Sequence, residues 1–219
     1  MRKKLTKFII RGILLFVVAS VAGTLLYRFT PVWVTPYMIA EKIRAIGRGE
    51  DSKIHKKWVS YEQISEPMKG AVVAAEDQKF FEHTGFDFEA IRKVLQSKKK
   101  RGASTITQQV AKNVFLWHGR SYLRKGLEAW FTVLIELIWP KERILEVYLN
   151  VAETGPLTFG VEAAAQRYYK VSASQLTRTQ ASTIAAILPN PKVYRVVKPG
   201  PYVQKRSAWI RRQMRNLGY

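Results

Sequence analysis

The 219-residue chain contains no cysteine, which excludes a disulfide framework and thiolate metal ligands. Histidine is nearly as scarce, and His83 has neither a cysteine nor a second histidine close to it in the sequence, so no metal site is expected there. Acidic residues are also few: 16 Asp and Glu face 37 Lys and Arg, for a net charge of +21. Such an imbalance calls for a polyanionic partner, whether nucleic acid, an anionic membrane surface or a phosphate-bearing substrate. No alternating strand pattern of useful length occurs and no internal repeat, which leaves a mainly α domain. Wholesale disorder is excluded by 47% hydrophobic and 12% aromatic residues. The length suits one good-sized domain, or one domain with an appendage.

The appendage is at the N-terminus. "MRKKLTKFIIR" carries five basic residues and no acid, and residues 12–27, "GILLFVVASVAGTLLY", run without a charge. As a helix those 16 residues cover about 24 Å, short of a hydrocarbon core of roughly 30 Å. Flanking apolar residues and snorkelling Arg11 and Arg28 extend the span. A cleaved signal peptide, with Ser20-Val21-Ala22 as its small-residue site, is the alternative, but the apolar run continues through Tyr27. The expected organisation is a basic cytoplasmic leader over 1–11, a single transmembrane anchor over 12–33 and an exported domain over 34–219. Beyond Arg28 the chain keeps 31 basic and 16 acidic residues, +15, so a domain tethered beside anionic lipid lies close to the bilayer, and nucleic acid recedes as a partner.

Helix signals punctuate the rest. Thr35-Pro36 starts one helix, Ser60 and Gln63 form a capping box before a short one, and "EPMKGAVVAAEDQKFFEH" reads as a helix closed near Gly85. Asp87 caps "FEAIRKVLQS", Ser121 caps "YLRKGLEAWFTVLIELIW" as far as Pro140, and Thr177 with Gln180 repeats the capping box. "GEDSKIHKKW" reads as a loop, and "KKKRGAS", 98–104, as a mobile basic break. The apolar "TVLIELIW" is too short to span a bilayer; it is read as core, with a membrane-facing ridge as the alternative.

Two carboxylates interrupt an apolar helix at Glu76 and Asp77. A carboxylate flanked by Ala, Val and Phe loses solvation, its pKa rises, and it becomes a better proton acceptor near neutrality; the bland alternative is a solvated helix end. Nearby, Gln108, Gln109, Lys112 and Asn113 crowd adjacent turns, with Gln109, Lys112 and Asn113 sharing a face. Arg120, Arg124 and Lys125 precede Glu128, and Arg124 with Glu128 makes either an ordinary i,i+4 ion pair or part of a cationic cradle for phosphate.

"EDQKFFEHTG", "GASTITQQ", "RKGLE" and "KERILEVYLN" resemble, in family order, the EDxxFxxHxG, GxSTxTQQ, RKxxE and KxxILExYLN signatures of the peptidoglycan glycosyltransferases, the polymerase modules of bifunctional penicillin-binding proteins. The size is similar to the monofunctional members; Ser97 to Lys100 is a chance Ser-x-x-Lys with no downstream KTG, so no transpeptidase is expected. The resemblance implies a lysozyme-like helical domain behind the membrane helix, anchored in the bacterial inner membrane and facing the periplasm. It implies polymerisation of lipid II with release of undecaprenyl pyrophosphate, with Glu76 as general base and Glu128 as the second catalytic carboxylate. Asp77, Ser104, Thr105, Gln108, Gln109, Lys112, Asn113, Arg120, Arg124 and Lys125 are the implied substrate-binding set. The only cofactor left open is a divalent cation, Mg or Mn, at the donor pyrophosphate. Besides lipid II, the growing glycan and the membrane, cell-wall synthesis or division proteins are the expected partners. His83, Tyr148 and Asn150 are read as structural. Two rival readings remain: a lysozyme-like enzyme that cleaves finished glycan, and a non-catalytic scaffold for anionic lipid.

Overall fold

In the structure, a computed structural model, residues 2–96, 104–117, 119 and 121–219 are described. The basic break, apart from Ser104, and the candidate Arg120 lie outside them. The described residues form ten α-helices: Arg2–Phe29 (α1), Pro36–Gly47 (α2), Glu66–Glu76 (α3), Phe88–Gln96 (α4), Ile106–Phe115 (α5), Tyr122–Ile138 (α6), Lys141–Val151 (α7), Val161–Tyr169 (α8), Arg178–Ile187 (α9) and Pro201–Asn216 (α10). Most begin where the sequence places a cap. The Thr35, Thr105, Ser121 and Thr177 hydroxyls accept from the backbone N–H three residues on, satisfying donors that the first turn leaves orphaned.

Three short strands complete the fold: His55–Lys56 (β1), Glu153–Gly155 (β2) and Thr158–Phe159 (β3), in the order β1-β3-β2, with β1 parallel and β2 antiparallel to β3. β1 falls inside the stretch read as loop. A strand of two or three residues has no alternation to detect, so only its partner reveals it.

α5 packs against α6 and α7, and α3 against α9 and α10, around a core that includes Phe80, Ile106, Ile135, Ile144, Tyr148 and Phe159. Asn150 ties α7 to the incoming chain, accepting from Val59 N at 3.0 Å and donating to Val59 O at 2.9 Å. That double bond accounts for a fully buried amide.

α1 is the one described helix long and apolar enough to cross a membrane, over Lys4–Phe29. It continues through the basic leader and ends four residues before the expected limit of the anchor. Its second half lies along α6. Trp130 Nε1 donates to Ser20 Oγ at 3.1 Å, and Trp139 Nε1 donates to Thr24 O at 2.7 Å. Arg143 of α7 donates to the Tyr27 and Thr30 carbonyls just beyond. The Ser20 and Thr24 hydroxyls donate to the Val17 and Ser20 carbonyls within α1, and the seam supplies acceptors for the two indole N–H groups, as an apolar environment demands. "TVLIELIW" divides between the two readings offered for it: Thr132, Leu134, Ile135 and Trp139 are buried, whereas Val133 and Leu137 are 45% and 77% exposed on the side that α1 shares.

Candidate active site

α3 ends earlier than its sequence suggests, at Glu76 rather than near Gly85, because Asp77 leaves the helix to serve a different partner set. Its carboxylate takes the Ile106 N–H at 3.0 Å, at the start of α5, and His83 Nε2 at 2.9 Å. His83 Nδ1 accepts from Gly85 N, so the hydrogen shared with Asp77 is on Nε2. Gly85 has φ +89, and a Cβ there would come within 2.7 Å of Thr132 Cγ2, which explains a glycine at this turn. The Gly85 carbonyl in turn accepts from Thr105 Oγ1 at 2.7 Å. The first two motifs are thus one hydrogen-bonded unit, and its product is the placement of Glu76 at the last turn of α3.

Glu76 is half-buried and opens on a cleft of about 380 Å³, whose lining includes Ala74, Ala75, Asp77, Lys79 and Ser104. Burial raises the pKa of its carboxyl above the ordinary value. Opposing that, Gln109 Nε2 donates to Glu76 Oε2 at 2.9 Å, and Arg206 and Lys112 contribute positive charge; the neighbouring Asp77 pushes upward in the same sense as burial. Gln109 Oε1 accepts from the buried Tyr148 hydroxyl at 3.3 Å, so Tyr148, Gln109 and Glu76 form a chain that fixes the orientation of the Glu76 carboxylate.

Gln109 also faces a second cleft, of about 210 Å³, with Lys112, Asn113, Tyr148 and Glu153 in its wall. Lys112 and Asn113 make no side-chain hydrogen bond or ion pair with other described residues, so both present free donors to this space. Burial lowers the Lys112 pKa, partly offset by Glu128 and Glu76. Glu128 is 3% exposed. It is held by Arg124 Nη1 at 2.7 Å and by Lys125 Nζ. Arg124 also donates through Nε to Gly119 O at 2.7 Å. Lys112 therefore sits within electrostatic reach of both carboxylates, with the Arg124–Lys125–Glu128 cluster on its far side.

Among the described residues the sequence candidates separate into three groups, one of them the ion-paired Arg124, Lys125 and Glu128, which line neither cleft. Glu76, Ser104, Gln109, Lys112 and Asn113 line the two clefts. Asp77, Thr105 and Gln108 turn their polar groups inward, Gln108 Oε1 accepting from Thr105 N at 3.0 Å, although Asp77 and Thr105 still edge the first cleft. Lys125 is 51% exposed and bonded to Glu128. Among the described residues no three Asp, Glu or His side chains converge, and Glu128 is engaged by Arg124 and Lys125. Arg206 escaped the sequence reading: it lies 130 residues downstream of Glu76 on α10, yet its Nη2 donates to Ala75 O at 2.8 Å and its charge bears on Glu76. Only the packing of α10 on α3 brings it there.

Residues 41–215 match the family described as transglycosylase. The chain belongs to the transglycosylase family. The transglycosylase domain is a lysozyme-like helical one, and the relatives agree along nearly the whole length. A "biosynthetic peptidoglycan transglycosylase" of Bdellovibrio bacteriovorus is 54% identical over 94% of this chain and 84% of its own. The protein of the same name from Pseudomonas aeruginosa PAO1 is 49% identical over 100% and 96%, and that from Chromohalobacter salexigens 51% over 97% and 92%.

Proposed function

We propose that the chain polymerises lipid II into the β-1,4-linked glycan strands of peptidoglycan, acting from the outer face of the cytoplasmic membrane. Glu76, raised toward neutrality by burial and held by Gln109, takes the proton from the C4 hydroxyl of the acceptor GlcNAc in the first cleft. The freed oxygen attacks the anomeric carbon of the donor MurNAc in the second cleft. The bond to the lipid pyrophosphate breaks with inversion, and its electron pair goes to the departing phosphate oxygen. Lys112, in the wall of that cleft, neutralises that charge, so the leaving group needs no proton donor, while Arg124, bound to Glu128 and the Gly119 carbonyl, lines neither cleft. Glu128 positions Arg124 and Lys125.

The observation that carries this reading is the Glu76 carboxylate, its pKa raised by burial in the wall of the first cleft and bonded to Gln109 in the wall of the second, where Lys112 presents an unpaired ammonium. The docking of α1 along α6 supports the location: Leu123, Val133 and Leu137 are exposed on a helix clamped to the membrane span, where lipid tails cover them. A lipid-linked substrate then reaches the site without leaving the bilayer.

The test is incubation of the full chain with labelled lipid II in detergent, with products resolved on a gel and digested by lysozyme. Polymer that lysozyme reduces to disaccharide units supports the reading. A chain that leaves lipid II untouched but shortens preformed glycan is a hydrolase, and the reading fails.

A further inference from the structure

The second cleft does not end at Glu153. Past Pro191, which lines both, lies a groove of about 420 Å³ whose lining includes Lys192 and residues 194–198, with Arg167 and Tyr168 of α8 and Pro156 of the β2–β3 turn; a separate cavity that includes the acidic residues Glu41, Glu50, Asp51 and Glu153 adjoins it at Lys192. Four cations line that groove, Arg167, Lys192, Arg195 and Lys198, and no carboxylate does. Two of them are occupied: Lys192 pairs with Glu41 at 2.5 Å, and Arg167 Nη1 donates to Thr158 Oγ1 at 3.2 Å. Arg195 and Lys198 have no hydrogen-bond or ion-pair partner among the described residues. Tyr194 also lines the groove, its ring stacked on Tyr202 at 4.5 Å. Solvated lysines and arginines are ordinary on a basic protein. A concave run of them with no acid in its own lining, braced by stacked aromatic rings and meeting the second cleft at Pro191, is not.

We infer that this groove holds the growing glycan strand through the carboxylates of its peptides. The inference rests on the polymerase reading above. Each disaccharide added carries a peptide ending in a free carboxylate, so the product is a polyanion with one charged branch per repeat. Sugar faces suit tyrosine rings, and the carboxylates suit Arg195 and Lys198. After each coupling the strand has to stay while the next lipid II enters the first cleft. A hold on the strand outside the reaction centre keeps its reactive end at high effective concentration and so sets how long the product grows.

The experiment compares the full chain with Arg195→Ser/Lys198→Ser and Arg195→Glu/Lys198→Glu, polymerising lipid II in neutral detergent, with Arg178→Ser as an exposed-cation control. Strand length is read at equal lipid II consumption, and melting temperature establishes that each variant is folded. An exposed ion pair changes affinity by up to about fivefold, so the neutral double variant is expected to shorten the mean strand by about twofold to twentyfold. The charge-reversed variant shortens it further, and the control does not. Added salt shortens the wild-type strands by a larger factor than those of the neutral variant. Equal strand lengths in all proteins at all salt concentrations overturn the inference while leaving the polymerase reading intact. A shortening confined to anionic vesicles and absent in neutral detergent also overturns it, by assigning the two cations to lipid. Absence of polymer from the wild type refutes the polymerase reading itself.

Discussion

Replacing Glu76 by Gln changes one charge and almost no volume, and it separates the catalytic from the structural role of this side chain. The amide still accepts from Gln109 Nε2, so the Tyr148–Gln109 chain survives. The variant loses the capacity to take a proton. General base catalysis contributes about 10²–10⁴-fold, or about 2.7–5.4 kcal/mol of barrier, so kcat falls by that factor while KM for lipid II stays close to wild type. Stability moves the other way. The Glu76 carboxyl titrates above its ordinary value of 4.5, burial outweighing the pull of Gln109, Arg206 and Lys112. A group raised on folding contributes stability that is full below its unfolded pKa and is lost as pH rises through the folded one. The wild type therefore gives up stability from about pH 4.5 upward, and the uncharged variant does not. The assays are initial rates on labelled lipid II and thermal melts across pH 4 to 8. A variant that keeps more than about a tenth of the wild-type kcat refutes the base assignment. A melting temperature below that of wild type at pH 8 refutes the electrostatic account of its seat.

Gln109→Leu removes the hydrogen bond that holds the Glu76 pKa down, so the acid limb of the pH–rate profile moves to higher pH; an unmoved limb disproves the coupling. Arg124→Met leaves Glu128 buried with one partner fewer and is expected to cost about 2–3 kcal/mol, whereas Lys125→Met, at a half-exposed partner, costs under about 1 kcal/mol. Denaturant titrations of the two variants check the order, and equal losses would contradict it. Gly160→Ala introduces a side chain at φ +84 with its Cβ 2.8 Å from Asn150 O, at the junction of β3 and α8. A loss of about 2 kcal/mol or more is expected in the same titration, and a neutral result would mean that the backbone there relaxes.

Much of this protein is decided by local sequence. The caps at Thr35, Thr105, Ser121 and Thr177 set helix starts because a side-chain oxygen and an orphan N–H only have to meet within one turn. The unbroken apolar run and its basic leader prescribe a membrane-length helix in the same local way. The residue types of the motifs place a buried base, amides and cations close enough along the chain for their chemistry to be read in outline. Tertiary structure decided everything that depends on approach between distant segments. Asp77 follows Glu76 directly, yet it caps α5 and binds His83, which is why α3 stops at Glu76. Ser20 and Thr24 look like gaps in an apolar helix until Trp130 and Trp139 reach them from more than a hundred residues away. Arg206, the short β-sheet and the cationic groove beyond Glu153 carry no periodic or motif signal, because each exists only once α8, α9 and α10 have packed. The sequence alone determined which chemical groups were available and which helices would carry them. The pairing of those groups, and the two clefts joined by the Glu76–Gln109 hydrogen bond, were set by long-range packing, since a hydrogen bond or a cleft wall depends on distance in space and not along the chain.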